Sequence, residues 1–151
     1  MEGILGADLQ HDSSDGERGI LRTMNRYSRA LDYGLADEWL DVFTVDARYE
    51  TVLPDGGLFC RLTTREEFAK FLADYPHPPE HYQKHVLVNP VIEVGGDEAQ
   101  GDSGWLFLTR EADGLRPRVA AFGRYRDRFQ RQDGIWRIAE RLCETEAIDF
   151  G

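Results

Sequence analysis

Apolar residues in the first third of the chain recur with the spacing of a helix. They lie four, three and four positions apart and form one stripe that faces a core: Ile20, Met24, Tyr27 and Leu31. Either Ser14 or Asp15 is placed to cap this helix. The helix is expected to run to Tyr33, because Gly34 is a residue that commonly stops a helix at its carboxyl end.

Two shorter helices are predicted further along the chain. One covers residues 36–43, where apolar side chains again fall on one side. The other begins after Thr63 or Thr64, because either side chain can cap a helix whose first turn carries Glu66 and Glu67. A proline-rich run over residues 75–79 ends it, since proline lacks the N–H that a continuing helix needs.

The rest of the chain has the pattern of β-strands separated by turn residues. Six strands are predicted, over residues 47–53, 58–62, 82–94, 100–111, 118–131 and 135–145. The last four are joined by short glycine-containing turns, which predict consecutive hairpins and therefore an antiparallel meander. Helices followed by strands indicate an α+β domain in which the helices pack on one face of a sheet.

Length and charge narrow the class of protein. The 151 residues suggest one domain, with residues 1–15 as a flexible leader and residues 16–151 as the folded unit. A formal net charge of −10 disfavours nucleic acid and anionic membranes as partners. Because we find no signal peptide or membrane span, we expect a cytoplasmic protein with a small ligand. The cysteines, Cys60 and Cys143, and the histidines lack metal-site spacing, so no metal is expected.

Two polar residues lie close to apolar positions of the pattern. Asp32 is at the edge of the apolar stripe, in the last helical turn, where the helix macrodipole disfavours a carboxylate. His85 shares one strand face with a mixture of residues that suits a pocket wall: Gln83, Leu87, Asn89 and Val91. A neutral histidine there can act as a general base near neutral pH. An exposed Asp32 near a helix end and a structural His85 are the plainer alternatives.

Arginines are prominent in the last two predicted strands. Arg124, Arg126 and Arg128 line one strand face, which we interpret as a solvated or oligomer-facing surface rather than a nucleic-acid site, given the net charge. Arg141 shares a face with Cys143, so a buried Arg141 requires an acidic partner or an anionic ligand. The chain has no P-loop, dinucleotide fingerprint or serine-hydrolase elbow, which argues against nucleotide-driven chemistry and acyl-serine hydrolysis.

Six segments together carry a family resemblance: YSRALD at 27–32, DEWL at 37–40, FTVDA at 43–47, KHVLVNPVIEV at 84–94, GRY at 123–125 and DGIWRI at 133–138. Over residues 17–145 their order and spacing resemble those of SnoaL-like proteins of the nuclear transport factor two-like superfamily. The resemblance implies a curved antiparallel or mixed sheet that about three N-terminal helices close into a cone around a pocket. Residues 62–64 replace a usual glycine-containing turn, so we expect a different pocket mouth.

The resemblance also implies a function. In the branch that contains scytalone dehydratase and lindane dehydrochlorinase, a helix aspartate and a strand histidine form a catalytic pair, and Asp32 and His85 match those positions. The implied activity is that of a cofactor-free lyase or isomerase of a small hydrophobic or aromatic molecule. His85 would be the general base assisted by Asp32, in dehydration, dehydrohalogenation or polyketide-type cyclisation. Candidate substrate-binding residues are Tyr27, Tyr49, Tyr82, Asn89, Tyr125 and Arg141.

Other roles occur on the same fold, so the fold alone does not define the function. The alternative is a non-catalytic small-ligand-binding protein, or the small (beta) subunit of a ring-hydroxylating dioxygenase. Exposed sheet faces usually pair in this superfamily, and the resemblance therefore implies a homo-oligomer, either a dimer or a trimer.

Overall fold

The computed structural model describes the backbone of residues 2–149 and the side chains of residues 14–149. The helices are α1 (Glu2–Tyr33), α2 (Ala36–Asp41) and α3 (Arg65–Asp74). The strands are β1 (Phe43–Val52), β2 (Leu58–Leu62), β3 (Lys84–Gly95), β4 (Glu98–Arg110), β5 (Pro117–Gln132) and β6 (Ile135–Ile148). Among the helices described, none combines the length and apolar character that a membrane span needs.

One six-stranded sheet with the order β2-β1-β6-β5-β4-β3 carries the domain. Strands β3 to β6 form consecutive antiparallel pairs, which confirms the predicted meander. The first hairpin, β1 and β2, joins the sheet through a parallel pairing of β1 with β6, so the sheet is mixed. The sheet is curved and unclosed, and the α+β class is confirmed.

The core lies between α1, α2, α3 and the inner face of the sheet. The predicted stripe of α1 is buried along its length, and this helix packs against β3 and β6. Aromatic rings join the helices to β1: Phe43 lies 4.5 Å from Phe68 and 4.9 Å from Trp39 between ring centroids. Thr64 caps α3 by accepting a hydrogen bond from the backbone N–H of Glu67, as its sequence predicts.

The predicted ends of two helices are wrong. α1 begins at Glu2, so Ser14 and Asp15 lie within the helix rather than at its cap; such residues inside a helix cost only a few tenths of a kcal/mol each. α2 ends at Asp41 and Phe43 already belongs to β1, because a short apolar run fits a helix or a buried strand equally well. Most side chains of the predicted leader, residues 1–15, lie outside the described residues, so its flexibility stays a prediction.

A bulge in β3 changes which side chains face the core. The pairing of β3 with β4 shifts register between Val88 and Val91, and Asn89 has a positive φ of 48°. Beyond this point Ile92 packs against the core, whereas Val91 is 65% exposed. The alternation predicted for the whole strand is therefore wrong after Val88, because one extra residue moves all later side chains to the opposite face.

Candidate active site

A cavity of about 220 Å³ lies between the inner face of the sheet and the helices. Its wall is mostly aromatic and aliphatic, with a few polar groups: Tyr27, Leu31, Tyr49, Thr51, Leu53, Phe59, Phe71, Tyr75, His85, Trp105, Phe107, Ala121, Tyr125, Cys143, Thr145 and Ile148. Phe59 and Ile148 are both exposed and mark its mouth. A small, largely apolar cavity with few convergent polar groups is the usual form of a small-molecule site.

Asp32 and His85 are in direct contact at this cavity. Asp32 is 3% exposed, and its Oδ1 lies 2.6 Å from the ring Nδ1 of His85. Its carboxylate also accepts the backbone N–H of His85, at 3.0 Å to Oδ2 and 3.2 Å to Oδ1. These hydrogen bonds offset the cost of placing a carboxylate in the last turn of α1. The plainer alternative, an exposed aspartate, is therefore wrong.

The contact determines which ring nitrogen of His85 faces outward. An ionised carboxylate can only accept hydrogen bonds, so Nδ1 carries the proton of a neutral His85 and Nε2 keeps its lone pair. The ring itself lines the cavity and packs 4.9 Å from the Phe107 ring, centroid to centroid. Asp32 thus selects the tautomer and orientation in which His85 can accept a proton.

Two tyrosine hydroxyls form the second polar feature of the wall. The hydroxyl oxygens of Tyr27 and Tyr49 lie 3.1 Å apart, and both side chains are buried. Burial raises the pKa of Tyr27 to about 12 and holds that of Tyr49 well above its ordinary value, so both are protonated at neutral pH. Only one of the two protons is used in their mutual hydrogen bond. The other can be donated to an oxygen or a leaving group of a ligand, in competition with the Thr51 side chain, which also hydrogen-bonds the Tyr49 hydroxyl.

Most of the predicted site residues come together at the cavity. Tyr27, Tyr49, His85 and Tyr125 line it, and Asp32 lies directly behind His85. Asn89 and Arg141 do not line it. Asn89 lies in the bulge of β3 and on the outer surface with Arg124, and Tyr82 is likewise exposed. Arg141 is buried and pairs with Asp127, which meets the requirement for an acidic partner.

Several wall residues were not singled out from the sequence. Trp105 and Phe107 lie two positions apart on β4 and both face inward, as strand alternation requires. Phe71 and Tyr75 come from α3 and the residue that follows it. Strand alternation predicts that Trp105 and Phe107 face the core together. It does not show whether that core is fully packed or contains a cavity.

The outer face of the sheet is charged, and its arginines form salt bridges with acidic side chains of neighbouring strands. Arg126 Nε lies 3.0 Å from Glu144 Oε1, Arg128 Nη2 lies 3.3 Å from Glu140 Oε1, and Arg124 pairs with Asp102. An open groove of about 680 Å³ crosses this face. The arginine series therefore forms a solvated charged surface in this chain. Its pairing with a second copy stays a prediction.

The chain has two cysteines, and Cys143 lies in the wall of the cavity. Cys60 and Cys143 are both free thiols. Within the described part of the chain, no three side chains of histidine, cysteine, aspartate or glutamate cluster in a way that could hold a metal ion. The polar groups available at the cavity are His85 with Asp32, the tyrosine hydroxyls, the small side chains of Thr51, Cys143 and Thr145, and the indole Nε1–H of Trp105, which has no hydrogen-bond partner among the described residues.

Comparison with known proteins places the chain in a family. The model of the SnoaL-like domain matches residues 12–142, and the chain belongs to this family. None of the curated proteins matches the sequence. The family assignment agrees with the resemblance found in the sequence and with the mixed, curved sheet.

Three solved structures illustrate the range of relatives. A putative scytalone dehydratase from Novosphingobium aromaticivorans has 24% identity and a TM-score of 0.71, over 89% of this chain and 86% of its own. The beta subunit of a putative aromatic-ring-hydroxylating dioxygenase from the same organism has 20% identity and a TM-score of 0.77, over 91% and 94%. LinA has 18% identity and a TM-score of 0.71, over 95% of both chains. At these identities the likeness is one of fold.

Proposed function

We propose that the protein is a cofactor-free lyase or isomerase that removes a proton from carbon in a small hydrophobic or aromatic molecule. The observation that carries the proposal is the 2.6 Å contact between Asp32 Oδ1 and His85 Nδ1 at the wall of an apolar cavity. His85 is the general base and Asp32 positions it. Tyr27, Tyr49 and Tyr125 are the candidate groups that bind the substrate.

The proposed reaction begins with transfer of a carbon-bound proton to His85 Nε2. The electron pair of the broken C–H bond then forms a double bond as a leaving group departs with its own electrons. In a cyclisation that pair instead attacks a carbonyl carbon of the same molecule, the C=O π pair moves to the oxygen, and the imidazolium gives its proton to that oxygen. Asp32 stabilises the imidazolium through the existing hydrogen bond, as a carboxylate partner does in other acid–base pairs. A dehydration ends when the imidazolium returns its proton to the departing hydroxide.

The cavity wall supports this chemistry by excluding water. The aromatic rings of Tyr75 and Phe107 pack beside His85, and charge interactions are stronger in such surroundings than in water. The free proton of the Tyr27–Tyr49 pair can then hydrogen-bond an oxygen on which negative charge develops. Removal of such a donor from an enzyme typically costs a factor of about 100 or more in rate.

Relatives give this proposal its context. The neighbours include a putative scytalone dehydratase and LinA, and dehydration and dehydrohalogenation are therefore the two reaction types to test first. A putative dioxygenase beta subunit has the same fold, and it supports the alternative proposal that this chain binds a ligand or a partner without catalysis. An assay of a base-catalysed reaction that needs no cofactor distinguishes the two proposals, because only a lyase or isomerase would accelerate it.

A suitable test uses 5-nitrobenzisoxazole, a small aromatic carbon acid. Removal of its C3 proton forms a nitrile as the ring N–O bond breaks and the oxygen leaves as a phenolate, so the reaction reports a base in an apolar site. We expect the wild-type chain to accelerate ring opening, and the His85→Gln variant to lose at least about 100-fold of that acceleration. Glutamine can still donate a hydrogen bond to Asp32, which preserves the fold.

His81→Gln is the matched control, because His81 lies in the loop before β3 and does not line the cavity. It is expected to keep the wild-type rate. Equal rates in the wild type and in His85→Gln would contradict the proposal. A wild-type chain that binds the probe without accelerating its reaction would instead favour the non-catalytic alternative.

A further inference from the structure

Arg141 lies directly behind the tyrosine wall of the cavity. Its guanidinium carbon is 3.7 Å from the centroid of the Tyr125 ring and 4.2 Å from that of Tyr27. The Arg141 side chain is only 1% exposed and does not reach the cavity surface, whereas both tyrosine rings do. The cation is therefore separated from any ligand by the two aromatic rings.

Asp127 holds this guanidinium in place by two hydrogen bonds. Arg141 Nε donates to Oδ1 at 2.7 Å and Nη2 donates to Oδ2 at 2.8 Å. The remaining nitrogen, Nη1, is buried without a hydrogen-bond partner among the described residues. Desolvation of a buried ion pair commonly outweighs the mutual attraction of its charges. Stability alone is thus a weak explanation for this pair, and its position against the cavity wall suggests a role in binding.

The arrangement has a defined polarity. The guanidinium contacts the rings of both Tyr27 and Tyr125, and Asp127 binds it on the Nε and Nη2 edge. A cation over an aromatic face withdraws electron density from the ring, which makes a phenol hydroxyl a better hydrogen-bond donor. Arginine also keeps its charge in every protein environment. The charge of Arg141 opposes the rise that burial causes in the pKa of Tyr27, so the positive end of the pair acts on the hydroxyl that Tyr27 shares with Tyr49.

We propose that Arg141, held by Asp127, is a positioning residue that makes the cavity prefer a ligand bearing an oxyanion, such as a phenolate or an enolate. It acts through Tyr27 and Tyr125 and does not touch the ligand. The binding preference uses only the cavity, whereas the class of substrate drawn from it rests on the proposed function. The charged or titratable groups that act on the hydroxyl pair from the surrounding elements are Arg141, Tyr125, Cys143 and Tyr75.

This preference identifies the class of substrate for the proposed reaction. Removal of a proton next to a carbonyl gives an enolate, and ring opening to a phenol gives a phenolate, so both products place negative charge on an oxygen. The Tyr27–Tyr49 pair can donate one hydrogen bond to that oxygen. A substrate that loses its proton without charging an oxygen gains nothing from Arg141. We therefore expect oxygen-bearing carbon acids to be better substrates than hydrocarbons or simple halides of similar shape.

The test compares two probes of similar size, 4-nitrophenolate and 4-nitrotoluene, by equilibrium binding at a pH at which free nitrophenol is ionised. The variant is the double substitution Asp127→Leu with Arg141→Met, since apolar replacement of a whole buried ion pair is often neutral for folding. We expect the affinity ratio of phenolate to toluene to fall roughly tenfold. The affinity for 4-nitrotoluene itself is expected to stay unchanged.

The matched control replaces an ion pair on the other face of the same two strands, Arg126→Met with Glu144→Leu. It removes the same types of charge without touching the cavity and is expected to keep the wild-type ratio. An unchanged ratio in the Asp127/Arg141 variant, an equal loss for both probes, or no preference for phenolate in the wild type would each overturn the inference. Loss of proton-transfer activity in His85→Gln with a retained phenolate preference would support both proposals separately.

Discussion

The Asp32 carboxylate binds the same residue, His85, through its ring and through its backbone. One hydrogen bond of 2.6 Å joins Oδ1 to Nδ1, and the backbone N–H of His85 donates to both oxygens at 3.0 and 3.2 Å. The ring orientation is therefore fixed at the start of β3 by the end of α1. Because two elements distant in sequence meet here, the geometry of the Asp32–His85 contact depends on the packing of α1 against β3.

Replacement of Asp32 by asparagine is expected to reduce activity without abolishing the fold. An amide carries no charge and has an NH2 donor in place of one carboxylate oxygen, so it binds the imidazole less strongly and can donate to an unprotonated Nδ1. The imidazole is then free to adopt the other tautomer. We expect at least about a 100-fold loss of proton-transfer rate and a destabilisation of about 1–3 kcal/mol. Nitrogen-15 NMR of the ring and urea unfolding measure the two effects, and retention of the Nδ1–H tautomer with full activity would contradict them.

The buried tyrosine pair gives an expected pH dependence of stability. The pKa of Tyr27 rises from 10.0 to about 12 on folding because burial disfavours the phenolate. The unfolded chain therefore releases this proton at lower pH than the folded chain. The resulting stabilisation is complete below pH 10 and is lost as the pH rises toward 12, at up to about 1.4 kcal/mol per pH unit for one such tyrosine. Urea unfolding at several alkaline pH values measures the slope, and replacement by phenylalanine is expected to reduce it.

Gly123 is required by the close approach of its neighbours. A Cβ at this position would lie 1.9 Å from the carbonyl oxygen of Glu144 and 2.6 Å from the indole of Trp105. We expect Gly123→Ala to displace that indole, which lines the cavity, and to cost about 3 kcal/mol or more in unfolding free energy. Gly95→Ala is the control, since no atom lies within 4 Å of its Cβ. Similar urea midpoints for the two variants would show that the strands accommodate the methyl group.

The two thiols are expected to differ in reactivity. Burial raises the pKa of Cys143 to about 12, and the residue lines the cavity, whereas Cys60 is only half-buried and its pKa is raised less strongly. Because the thiolate is the reactive form, a disulfide reagent at pH 8 should label Cys60 first and Cys143 only slowly. Both should react quickly in urea. Equal rates in the folded protein would show that the cavity wall is open at Cys143.

The sequence was a good guide wherever one local pattern determined the structure. The stripe of α1, the Thr64 cap and the hairpins from β3 to β6 all follow from periodicity or turn chemistry. The family resemblance placed Asp32 and His85 together, and the 2.6 Å contact agrees with that placement. Periodicity alone put Asp32 only at the edge of a stripe.

Features that depend on contacts between distant segments could not be read in this way. No local pattern in the sequence predicts the parallel pairing of β1 with β6. The bulge at Asn89 moves the later side chains of β3 to the opposite face, and the sequence has no glycine there that would have predicted a bulge. For the same reason Asn89 was placed at the cavity and lies outside it. Arg141 has the inward face that was expected, but its partner Asp127 and the two intervening tyrosine rings emerge only from the register of β5 and β6.

The central claim is that His85 is the base, and chemical rescue tests it most directly. The measurement is the rate of 5-nitrobenzisoxazole ring opening by the His85→Ala variant, before and after free imidazole is added. Alanine leaves space at the cavity wall beside Asp32, where imidazole can bind in place of the missing ring. We expect a loss of at least about 100-fold without imidazole and a saturable recovery with it. A His85→Ala variant that retains the wild-type rate without imidazole would contradict the account.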